Sequence, residues 1–195
     1  MELFLRAKAW HLFVLLCGGM MFAFALLGYA AEIAVLAYQA QTSVPLWCWL
    51  ATIPSFVWTA LLLAWYGVLG TRLSNRAPES VRMSAALFRA ALGYAFVYLA
   101  IYCSVPWIAF GSFGPTPGFA MLGVIVPLHL LAMVCMLYVL YFVARSLRMA
   151  ETQQNATFYD YSGPFFLLWF FPIGVWVIQP RINRMFADAG KASDA

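Results

Sequence analysis

Charged side chains are scarce in this chain: Asp, Glu, Lys and Arg make up 9% of its 195 residues, against about 25% in a soluble domain. Hydrophobic residues make up 65% and the mean hydropathy is +0.86. A folded soluble domain cannot hide that much apolar surface from water, so lipid is the solvent this composition requires. The formal net charge of +4 would suggest nucleic acid if Lys and Arg formed a surface stripe. They sit instead in short clusters between apolar runs, where charges set membrane topology, so no nucleic-acid partner is expected.

Catalytic and metal signatures are equally sparse. There is no GxxxxGK phosphate loop, no HxxxH, no CxxC and no paired-carboxylate motif, so the sequence implies neither cofactor nor metal. The two histidines, His11 and His129, fall at different depths, one at the mouth of the first apolar run and the other about 16 Å into the fourth at 1.5 Å per residue. One haem iron would not join them. Of the four cysteines, Cys17 and Cys135 lie inside apolar runs and read as packing residues. Cys48 and Cys103 fall at the same ends of neighbouring runs, where an oxidising compartment would allow a disulfide.

What is present is long apolar sequence. Runs of about 17 to 25 residues occupy residues 10–31, 46–70, 85–105 and 118–144. They predict an all-α membrane protein: a single membrane domain of four transmembrane helices, with a polar tail at 187–195. Arg6, Lys8, Arg72, Arg76, Arg82, Arg89, Arg145 and Arg148 flank one side of this arrangement. The two loops on the other side, 39–45 and 104–117, contain no Lys or Arg. The positive-inside rule then places both termini in the cytoplasm. Gly18, Gly19 and Ala23 in the first run, and Ala86, Ala90 and Gly93 in the third, are the small residues expected at close helix contacts.

The stretch "SGPFFLLWFFPIGVWVIQPRIN" (residues 162–183) is different. Its apolar run, 165–178, would span about 21 Å as a helix, against about 30 Å of hydrocarbon. A crossing would also carry Arg181, Arg184 and Lys191 to the side that otherwise lacks positive charge. Pro172 and Gly174 sit at its centre and Pro164 and Pro180 bracket it, so the segment 164–180 is expected to be broken at Pro172 and Gly174 and to return to its own side. A flat interfacial segment and a tilted fifth crossing remain open. Thr157 and Asp160 have capping-box spacing, which opens a helix ahead of this run.

This C-terminal stretch, with the preceding "PLHLLAMVCMLYVLYFVARSLRMAE" and the start "ELFLRAKAWHLF", resembles a family of uncharacterised bacterial integral membrane proteins. The resemblance implies a bacterial inner membrane and no activity.

Polar residues inside the runs are the only candidate site. Ser55 and Thr59 share one face of the second run and Tyr94, Tyr98 and Tyr102 one face of the third. At similar depth to His129, they either line one cavity or act as interhelical glue worth about 0.6 to 2 kcal/mol each. Glu32 is the one acid toward the side lacking Lys and Arg, and it belongs either at the interface or in a proton or cation path. Three function classes follow: a non-catalytic accessory, scaffold or interaction subunit, whose partners are the bilayer and other membrane proteins or copies of itself; a small-solute or proton carrier built on Glu32 and His129; and a lipid-modifying enzyme, for which no catalytic cluster is evident.

Overall fold

In hydrocarbon every backbone N–H and C=O must be satisfied within its own segment, so an apolar run has one local solution, the α-helix. The computed structural model describes residues 7–40, 42–43, 48, 50–113 and 119–193, apart from the side chains of 103–113, 119–122 and 188–193. Among the described residues there are helices and no strands. The four long helices are α1 (Ala9–Gln39), α2 (Thr52–Arg76), α3 (Ala85–Phe113) and α4 (Phe119–Thr152). Each contains a segment long and apolar enough to cross a membrane, which is the architecture of a multi-pass membrane protein. Two shorter helices follow, α5 (Phe158–Trp169) and α6 (Phe171–Ser193).

The helices run past the boundaries that hydropathy suggests. The second, for example, continues from Gly70 through Thr71, Arg72 and Asn75 to Arg76. Hydropathy registers where hydrocarbon ends, whereas the helical hydrogen-bond ladder continues into the polar interface. The polar tail likewise stays helical to Ser193, because its alanines carry high helix propensity.

α2 is the central element. In its most apolar window 44% of residues are buried, against 17–22% for the other three, so α2 supplies the surface on which the others pack. Phe88 of α3 stacks on Phe142 of α4 with ring centroids 4.2 Å apart, and Gly70 of α2 leaves room for the Phe88 ring, which a Cβ there would overlap. Around this stack Leu69, Leu147, Ile178 and Ile182 are fully buried.

The arginine-bearing ends of the helices lie together. Arg76 donates to the Met185 carbonyl at 2.7 Å and its guanidinium covers the Phe186 ring. Arg181 pairs with Glu151 through two bonds of 2.9 and 2.7 Å, and Asn183 donates to the Ala7 carbonyl at 3.1 Å. α4 closes with Gln153 in the left-handed region at φ 55°. Its side-chain amide is tied to the Arg76 and Ala150 carbonyls, which offsets the strain of that conformation.

The C-terminal stretch forms a helical hairpin, but its turn is not where the sequence suggests. Phe170, at φ −90° and ψ 57°, is the break; Pro172 and Gly174 lie inside the first turn of α6. Pro172 costs nothing there, because the first N–H groups of a helix have no intrahelical partner. Gly174 serves close approach: a Cβ would overlap the Leu167 carbonyl of α5. Pro164 and Pro180 do not bracket the segment either; both lie within helices, whose packing offsets the bond each proline removes. The capping box is formed, with the Thr157 backbone N–H and hydroxyl both donating to Asp160 Oδ2 at 2.8 and 2.6 Å.

The hairpin reaches well into the bundle. Tyr66, ten residues before Arg76 and so about 15 Å along α2, donates to the Leu168 carbonyl next to the turn. From that level α6 runs back to Arg76, its stripe Phe171, Val175, Ile178 and Ile182 buried. Both ends of the hairpin therefore lie at the arginine-bearing end of the bundle.

Candidate functional site

The polar candidates separate into two places. Ser55 and Thr59 of α2, Tyr98 of α3 and His129 of α4 line one cavity of about 340 Å³ toward the end of the bundle opposite the arginines. Helical periodicity puts them there: Ser55 and Thr59 are one turn apart, and Tyr98 lies one turn from both Tyr94 and Tyr102. Tyr94 is not part of the lining; its hydroxyl donates to the Leu128 carbonyl at 3.2 Å, next to Pro127, the proline inside α4.

Glu32 is elsewhere. It is exposed on α1, level with the start of α2, where its neighbours Ala30 and Ala34 pack against Cys48 and Ala51. α2 has 25 residues, about 37 Å of helix, so that level lies farther from Arg76 than about 30 Å of hydrocarbon extends. Glu32 thus lies on the surface of the bundle and outside the cavity that holds His129.

Within the cavity most polar capacity is already used. Ser55 donates to the Ala23 carbonyl at 3.3 Å and Thr59 to the Ser55 carbonyl at 3.0 Å, the first joining α1 to α2. Trp58 donates its indole N–H to the Leu16 carbonyl. Leu16 lies in a π-helical turn, Val14–Gly18, whose wider bonding pattern presents a carbonyl to a neighbouring helix. Gly19 makes room for the Trp58 ring and Ala23 is buried, whereas Gly18 and Gly93 face open space and Ala86 and Ala90 are exposed. The expected small-residue contact is therefore used in part in α1 and not in α3.

The distinctive group is a pair: Tyr98 Oη and His129 Nδ1 are 2.8 Å apart, with Tyr102 stacked on Tyr98 and its ring 6.2 Å from the imidazole. Apart from His129, no ionisable nitrogen or carboxylate lines this cavity among the described residues. Compared with known families, curated proteins and solved structures, the chain matches none.

Cys48 is a buried free thiol, and the side chain of Cys103, its expected partner, lies outside the described residues. Cys17 is buried and Cys135 half-buried, both free. Sequence reasoning missed Trp58, Met133 and Met136 as cavity lining. Their helical spacing is that of any packed apolar residue, so only their neighbours distinguish them. It also missed Glu151, which holds Arg148 as well as Arg181.

Proposed function

We propose that this protein is a non-catalytic accessory or interaction subunit of a bacterial inner membrane, its termini cytoplasmic and its α5–α6 hairpin re-entrant from the cytoplasmic side. The observation that carries this reading is the separation of Glu32 from the Tyr98–His129 cavity. A carrier needs a continuous polar path, and Glu32 and His129, the carboxylate and the imidazole toward that end among the described residues, face different surroundings. Clustering of the arginines at one end supports the orientation, and the resemblance noted above supports the compartment.

The test is reconstitution. Liposomes containing the purified chain should hold an imposed pH gradient as long as empty ones do, and Glu32→Gln and His129→Phe should change nothing. A proton leak abolished by either substitution would overturn the accessory reading in favour of a carrier. Chemical crosslinking in native membranes should in turn join this chain to a membrane protein at fixed stoichiometry.

A further inference from the structure

A neighbouring cavity adjoins the one beside His129. It is about 260 Å³, shares Leu62, Met133 and Met136 with the first and runs toward the hairpin, ending on Trp169 and Phe171. The two adjoin across these three shared residues, and taken together they would make a slot with one polar end and one apolar end. The polar end lies toward the side away from the arginines and the apolar end toward the middle of the bundle. An apolar slot of this kind stays dry, and about 340 Å³ with a few convergent polar groups is within the range of small-ligand sites.

The lining defines what fits. Among the described residues no Lys, Arg, Asp or Glu contributes to either cavity, so beside a neutral His129 a carboxylate or phosphate head would be buried without a counter-charge, at a cost of several kcal/mol. The head is therefore uncharged. When Tyr98 donates to Nδ1, the neutral imidazole carries its proton on Nε2, and that N–H has no protein partner among the described residues. It is a donor awaiting an acceptor. The Tyr98 and Tyr102 rings, 27° from parallel, and the Trp58 indole give the polar end flat aromatic walls, which suit a conjugated ring. His129 is itself exposed, so the slot opens to the surface of the bundle at this end.

We propose that the joined cavities bind a prenylated quinone, a ring carbonyl accepting a hydrogen bond from His129 and the isoprenoid tail running past Leu62, Met133 and Met136 to the hairpin turn. This goes beyond the accessory role, which stands or falls on proton flux and not on occupancy of the slot.

The experiment titrates a decyl-tailed benzoquinone into the purified full chain in mild detergent, following tryptophan fluorescence and thermal unfolding. Saturable quenching and a rise in Tm are expected. His129→Phe should weaken binding at least tenfold, and Ala132→Phe, which fills the slot, should abolish it. Trp58→Phe should lose much of the quenching while keeping the Tm rise. Leu130→Phe, on the exposed face of α4, should behave as wild type. If His129→Phe is not monodisperse, Tyr98→Phe is the substitute, and it too should weaken binding. Non-saturable quenching, equal affinity in the His129 or Tyr98 variant and wild type, or equally tight binding of a monoacylglycerol with a ten-carbon chain would each overturn the proposal; the last would show a general acyl-chain groove.

Discussion

The Tyr66 hydroxyl, buried at the middle of α2, donates to the Leu168 carbonyl of α5 at 2.9 Å across 102 residues of sequence. Leu168 lies in the last turn of its helix, where carbonyls have no intrahelical donor. A side chain from the central helix thus caps the end of the hairpin's first arm and fixes how deeply the hairpin sits.

Removing that donor isolates its effect. Tyr66→Phe preserves the ring and leaves the Leu168 carbonyl unsatisfied, so stability should fall by about 1 to 3 kcal/mol. Thermal unfolding in detergent measures it; an unchanged Tm would show that the carbonyl finds another partner.

The two residues expected at the turn should respond differently to alanine. Gly174→Ala pushes a Cβ into the Leu167 carbonyl and should cost about 1 to 3 kcal/mol or more, since the obstacle is backbone. Pro172→Ala, in the first turn of α6, should stay within about 1 kcal/mol of wild type. Equal losses in the two variants would contradict a break at Phe170.

Sidedness is testable by labelling. Cysteines introduced at Ser162 and Asn183, in a background without the native four, should both resist an impermeant thiol reagent in intact cells and react once the inner face is opened. Labelling of Asn183→Cys from outside would show that the hairpin crosses the membrane.

The capping box should make the start of α5 sensitive to acid. The Thr157 hydroxyl, then its backbone N–H, donates to the Asp160 carboxylate and holds its pKa below the ordinary value, with Arg148 adding to the effect. A depressed carboxylate contributes stability that is present above its unfolded pKa and is lost as pH falls through the folded one. Protection of the first α5 amides from hydrogen exchange should therefore be constant near neutrality and decline below about pH 4. Asp160→Asn should remove that decline.

Glu151 has two cationic partners, Arg148 and Arg181, and joins the end of α4 to α6. Its replacement by Gln should destabilise the protein by about 1 to 2 kcal/mol, the partners being partly exposed and screened. Arg148→Gln in the same background should then cost less than it does alone, which a double-mutant cycle on thermal unfolding reads directly.

Much of the architecture was legible in the residues. Four apolar runs specify four helices because hydrocarbon offers the backbone no other partner, and Thr157 with Asp160 specifies the start of α5 because a cap is a local contact. Ser55, Thr59, Tyr98 and His129 could be grouped by depth, since a helix converts sequence spacing into height. What required the tertiary structure is everything lateral. Height does not say which way a side chain faces, so Tyr94 belonged to the same layer as His129 in sequence and to different surroundings in space. Pro172 and Gly174 read as a break because proline and glycine disfavour helix interiors, yet the chain turns at Phe170. There the packing of α5 and α6 against α2, with Tyr66 capping Leu168, outweighs the propensity of any single residue.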